Sequence, residues 1–87
     1  MNFLHYNFQL NSNDVVEVTL NTIANVRLLD PTNFLYYQNG RKYKYLGGLA
    51  NPPKFSISPP NKGNWNVVID LAGLSGDVNA SVKVIRG

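Results

Sequence analysis

Along four stretches of the chain, apolar and polar residues alternate one by one. In residues 15–20, Val16, Val18 and Leu20 fall on one side and Val15, Glu17 and Thr19 on the other. In 24–29, Ala24, Val26 and Leu28 alternate with Asn25 and Arg27. In 64–71, Trp65, Val67, Ile69 and Leu71 alternate with Asn64, Asn66, Val68 and Asp70. In 78–85, Val78, Ala80, Val82 and Val84 alternate with Asn79, Ser81 and Lys83. Successive side chains of a strand point to opposite faces, so a period of two predicts half-buried strands with the apolar side inward. Residues 3–10 obey the same rule, with Leu4, Tyr6, Phe8 and Leu10 on one side.

Turn signals separate these stretches: Asn11 to Asp14, Asp30-Pro31, Asn39-Gly40, Gly47-Gly48, Asn51-Pro52-Pro53, Pro59 to Gly63, and Gly73 to Asp77. Residues 30–39 break the alternation. Asp30 can cap a helix, Pro31 suits its first turn, and Asn39-Gly40 can end it. Phe34, Leu35 and Tyr37 are the expected anchors of that helix on the sheet. The pattern therefore predicts an all-β fold: a small antiparallel β-sandwich of about seven strands, with one short helix or helical turn after the third. Jelly-roll-like connectivity fits this spacing, and a small barrel is the alternative. One domain is expected over residues 2–85.

Composition narrows the class. At 44% hydrophobic residues the chain has enough apolar surface to fold rather than stay disordered. At 87 residues it buries roughly two-thirds of its unfolded surface, so its core is thin. The absence of cysteine rules out disulfide staples and favours a reducing compartment. The opening Met1 to Tyr6 lacks the basic and apolar regions of a signal peptide. No run approaches the roughly 20 apolar residues of a membrane helix. These features together give the expectation of a cytoplasmic protein without a membrane partner. Asn79-Ala80-Ser81 matches a glycosylation sequon and, without a secretory signal, is read as chance.

The net charge of +3 is concentrated in one part of the chain. Residues 41–62 hold Arg41, Lys42, Lys44, Lys54 and Lys62 and no acid. Within them, Arg41-Lys42-Tyr43-Lys44-Tyr45 interleaves cations with aromatics, as single-stranded nucleic-acid sites do. As a strand, however, Lys42 and Lys44 would face one way and Arg41, Tyr43 and Tyr45 the other. The plainer expectation is an edge strand whose lysines deter edge-to-edge pairing while its tyrosines pack inward.

Catalytic chemistry finds little support. His5 is the single histidine, and no cysteine or histidine cluster offers metal ligands. The carboxylates Asp14, Glu17, Asp30, Asp70 and Asp77 form no evident acid–base pair. Asp14 and Asp77 sit in turn-like sequence, Asp30 at a cap, and Asp70 on the polar side of a strand. Gly47-Gly48 and Gly73 to Gly76 lack the lysine and hydroxyl of a phosphate-binding loop and read as turns. Trp65, in phase with Val67 and Ile69, reads as a core anchor whose indole N–H needs an acceptor.

Several of these residues form a longer pattern. It runs through Asn33-Phe34, Tyr37, Gly40-Arg41, Tyr43, Tyr45 and Gly47-Gly48, then Gly63, Trp65, Val67 to Asp70, Gly73, Gly76 and Ala80 to Val84. With Met1 to Tyr6 and Asp14 to Val18, it resembles a bacterial family known as domain of unknown function 1883. The resemblance covers nearly the whole chain. It implies a β-sandwich-like domain found alone or ahead of a Toll/interleukin-receptor domain, and implies no activity, cofactor or catalytic residue. A looser similarity joins Val26 to Asp30, Asn33-Phe34 and Gly63-x-Trp65 to jelly-roll modules that bind ligands or partners, which fixes no function. The expectation is thus a non-catalytic interaction module without cofactor or metal. It binds a protein partner or itself, with Arg41, Lys42, Tyr43, Lys44 and Tyr45 as the candidate site. The alternative is a binder of nucleic acid or another anion through Arg41, Lys42, Lys44, Lys54 and Lys62.

Overall fold

A computed structural model of the protein describes residues 3–71 and 76–87. Seven strands and one helix follow in the order β1 (Leu4–Leu10), β2 (Val15–Leu20), β3 (Ala24–Leu29), α1 (Pro31–Gln38), β4 (Leu46–Ala50), β5 (Lys54–Ile57), β6 (Gly63–Asp70) and β7 (Ala80–Ile85). The strands form two antiparallel sheets, β1-β6-β3-β4 and β5-β2-β7. The pairings are nested: β1 with β6, β2 with β5, and β3 with β4, each inside the last. This is the rolled-up hairpin of a jelly roll, here with β7 added along the other side of β2. The turn reading of Gly73 to Ser75 lies outside the described residues.

The period-two stretches supply the filling of the sandwich. Val16, Val18 and Leu20 from one sheet meet Leu10, Ala24, Val26, Leu28, Ala50, Trp65, Val67 and Ile69 from the other. Each fully buried valine, leucine or isoleucine side chain contributes about 1.5–3 kcal/mol relative to an exposed one. Trp65 is buried as expected, and its indole N–H donates to the Asn61 carbonyl at 3.0 Å. Pairing is unbroken along the two central contacts: β1 runs against β6 from Leu4–Ile69 to Leu10–Gly63, and β3 against β6 from Asn25–Asp70 to Leu29–Asn66.

Helix α1 forms where its capping signals sit. The Asp30 carboxylate accepts the Asn33 backbone N–H at 2.7 Å, Pro31 opens the first turn, and the Asn39 N–H closes on the Leu35 and Tyr36 carbonyls. Because α1 lies inside the innermost nested connection, from β3 to β4, it folds over the outer side of the four-stranded sheet. It makes a second small core there, in which Leu29, Val68 and Tyr37 are buried with Phe3, Phe34 and Tyr43 against them. This corrects three expectations. Val68 and Asp70 fall in the polar phase of their strand, yet both are buried beneath the helix. Leu35, an expected anchor, points outward and is 54% exposed, while Tyr37 and Phe34 hold the helix down.

The expectation of an edge strand over residues 41–45 is also corrected. Those residues lie outside any strand, and β4 begins at Leu46. Gly40, at φ +68°, turns the chain back along the helix. The Arg41 N–H then bonds the Tyr36 carbonyl at 2.9 Å, and the Lys44 N–H bonds the Asn33 side chain at 2.7 Å. Helix groups take the amides that a sheet ladder would otherwise use.

Candidate functional site

Segment 41–45 is laid over α1 with Tyr43 half-buried and the other four side chains exposed. Tyr43 turns inward and meets the Tyr37 ring edge-on, with centroids 5.2 Å apart. Arg41 lies over the Tyr36 ring at 5.0 Å, a cation–π contact that fixes its guanidinium on the surface. Lys42 and Lys44 extend into solvent. Tyr45 is 47% exposed, with one side of its ring 5.3 Å from the Arg27 guanidinium. The five expected site residues are therefore close together, but Tyr43 serves the packing of the helix rather than the surface.

Ion pairing divides the cations into two sets. Arg27 pairs with Asp70 at 2.8 Å and Arg86 with Asp14 at 2.7 Å. Lys54 and Lys83 flank Glu17 at 3.8 and 3.6 Å on the three-stranded sheet. Among the described residues, Arg41, Lys42, Lys44 and Lys62 have no carboxylate within ion-pair reach. Lys54, grouped with them by sequence, belongs instead to the Glu17 cluster. The positive excess read from the sequence is thus a local surplus at the α1–β4 corner and in the nearby β5–β6 connection.

An open cleft of about 200 Å³ lies at this corner. Its buried floor is Leu28 and Trp65, and its sides are the half-buried Asp30 and Asn33. The exposed Lys44, Tyr45, Leu46 and Pro60 form the rim. Asn33, Leu46, Pro60 and Trp65 are neighbours of the basic segment that the sequence does not reveal, because the cleft joins α1, β3, β4, the β5–β6 connection and β6, which are far apart in the chain. A wider, shallow groove of about 360 Å³ runs over Thr19 to Asn21 and Asn79 to Ser81, and among the described residues no charged side chain lines it.

Two further polar clusters have structural partners. Beneath α1, Asp70 accepts from the Tyr37 hydroxyl at 2.5 Å and from Arg27 at 2.8 Å. Burial raises the Tyr37 pKa well above its ordinary value, and the hydrogen bond to Asp70 and that residue's negative charge raise it further. Asp14 accepts the backbone N–H groups of Asn11 and Gly87, which hold its pKa below the usual carboxylate value against the opposing effect of burial. Arg86 lowers it further. His5 stacks on Phe34 with centroids 4.2 Å apart, and its Nε2 lies 2.8 Å from the Asn66 side-chain oxygen. Among the described residues no three histidine, cysteine or acidic side chains are grouped to hold a metal ion. Among them, too, no helix is long and apolar enough to cross a membrane.

Two nested antiparallel sheets with a helix folded across one outer side define the class, a jelly-roll-like β-sandwich. More narrowly, the chain belongs to the family described as Domain of unknown function (DUF1883), whose model matches residues 1–87. Neither the curated proteins nor the solved structures gave a match.

Proposed function

We propose that this protein is a non-catalytic, cytoplasmic interaction module of a bacterial cell. On this reading it captures an acidic protein partner at the corner formed by Arg41, Lys42, Lys44 and Tyr45. The observation that carries the reading is the split in ion pairing: four cations have a carboxylate partner, and the four that lack one belong to residues 41–62. A desolvated interface favours arginine and tyrosine, and opposed charge speeds encounter. Exposed Tyr45 and Leu46 supply apolar contact area beside the cations. Two-fold self-association through this corner would oppose like charges, so a different chain is the better-fitting partner.

A second reading, a nucleic-acid binder, draws on the same cations. Stacking of successive bases needs a row of open rings. Here Tyr43 is turned into the helix packing, which leaves Tyr45 as the exposed ring of the segment. The non-catalytic part of the reading is supported by His5, whose ring nitrogen faces an amide rather than a carboxylate.

Fluorescence anisotropy separates the readings. A labelled glutamate–tyrosine copolymer and a labelled thymidine oligonucleotide are titrated with the wild-type protein and with an Arg41→Ser/Lys42→Ser/Lys44→Ser variant. The protein reading expects the copolymer to bind, the oligonucleotide to bind more weakly, and the triple variant to lose binding with its thermal midpoint unchanged. Preferential oligonucleotide binding that falls steeply with salt would establish the second reading instead.

A further inference from the structure

The cleft beside Lys44 bears on the kind of partner. Small-molecule and cofactor sites occupy roughly 300–1,000 Å³. At about 200 Å³ this cleft is too small for a nucleotide or a cofactor and suits a single large side chain. Its floor is apolar, since Leu28 and Trp65 are buried there. The Trp65 indole N–H is already taken by the Asn61 carbonyl, so the indole offers carbon surface rather than a donor. Leu46, 38% exposed at the mouth, extends that surface outward. The charged groups differ between wall and rim. Asp30 on the wall disfavours an anion inside the cleft, while Lys44 on the rim, with Arg41 and Lys42 preceding it, favours anions just outside.

From this arrangement we infer that the cleft is the anchor pocket of a peptide-binding site. It takes one large apolar or aromatic side chain from a partner segment, and the acidic residues flanking that side chain lie against Arg41, Lys42 and Lys44. The inference rests on the interaction-module reading and adds to it the chemistry of the recognised segment. An apolar anchor seated beside cations that meet the flanking acidic residues gives a short peptide both affinity and register. A phosphate backbone has no group suited to the floor and would meet Asp30 on the wall.

Trp65 is the single tryptophan of the chain, so its emission reports on the floor of the cleft directly. The probes are a random glutamate–tyrosine copolymer, polyglutamate of equal length and a thymidine oligonucleotide, each titrated with excitation confined to tryptophan. The copolymer is expected to bind about thirtyfold more tightly than polyglutamate, the contribution of one well-seated anchor, and to change Trp65 emission saturably. Leu46→Ser removes most of that difference. Lys44→Glu, at an exposed position, weakens both polymers and keeps the fold intact by circular dichroism. Equal affinity for the two polymers with unchanged Trp65 emission overturns the anchor pocket and leaves the basic corner standing. Binding of neither polymer overturns both. Preference for the oligonucleotide overturns a peptide as the ligand.

Discussion

Removing Asp70 leaves the Arg27 guanidinium under α1 without its counter-charge and takes away the carboxylate to which the Tyr37 hydroxyl donates. A charge pair broken from one side in a buried setting costs about 3–5 kcal/mol, most of it the desolvation of the charge left behind. Asp70→Ala is therefore expected to lower stability by about that amount in urea unfolding. An Arg27→Met/Asp70→Ala double variant should cost less than the sum of the single changes. Additive effects would show that the pair is solvated rather than buried. Tyr37 adds a pH signature. Its phenol pKa is raised in the folded state above an unfolded value of about 10. The contribution is complete below that value and is lost as pH rises through it toward the folded pKa. Wild type should therefore lose thermal stability above about pH 10 more steeply than Tyr37→Phe. Parallel declines would contradict this assignment. Of this cluster, the anchoring role of Tyr37 was legible in the sequence, and its partners were not. Asp70 and Val68 have the phase of a solvent-facing row, and a period of two reports which residues share a face, not whether another element covers that face.

At the scale of elements, the caps and phases identified α1 and five strands to within one or two residues at each end, because each signal is local: a carboxylate before proline, or an apolar side chain at every second position. The short strands β4 and β5 were less legible. Leu46–Ala50 contains two adjacent glycines and Lys54–Ile57 has only four residues, too few for periodicity to stand out. Gly47 shows why glycine is required in β4. Its φ is +98°, and a Cβ there would collide with the Val26 carbonyl oxygen on β3. Gly47→Ala is expected to cost about 1–3 kcal/mol and to speed amide exchange in β4 before the rest of the sheet. Uniform exchange across the sheet would show that β4 is not separately strained. Asp30→Ala, which removes the helix cap, should cost about 1 kcal/mol by thermal unfolding. A null effect would place the stability of α1 entirely in the packing of Tyr37 and Phe34.

For the whole molecule, two charge arrangements matter. The first ties the C-terminal segment to the β1–β2 turn through Asp14, which bonds Asn11, Arg86 and Gly87. With its folded pKa lowered, Asp14 contributes fully above its unfolded value near 4, and the contribution is lost as pH falls below that. The difference in thermal midpoint between wild type and Asp14→Asn should therefore shrink between about pH 6 and pH 2. A gap independent of pH would mean that the carboxylate acts only as a neutral acceptor. The second arrangement is the surplus of unpaired cations at the α1–β4 corner. Its sign and rough location were readable from residues 41–62, because pairing partners were absent from that stretch itself. The loss of Lys54 to Glu17 and the cleft over Trp65 were not readable, since both depend on contacts between distant segments. The position of an acidic partner can be read by amide and indole chemical-shift mapping of the isotope-labelled protein during titration with the glutamate–tyrosine copolymer. A partner at the α1–β4 corner concentrates the shifts at Asn33, Lys44, Tyr45, Leu46 and the Trp65 indole, with β2 and β7 unmoved. Shifts centred on β2 and β7, or scattered evenly over the surface, would show that the partner does not sit at this corner.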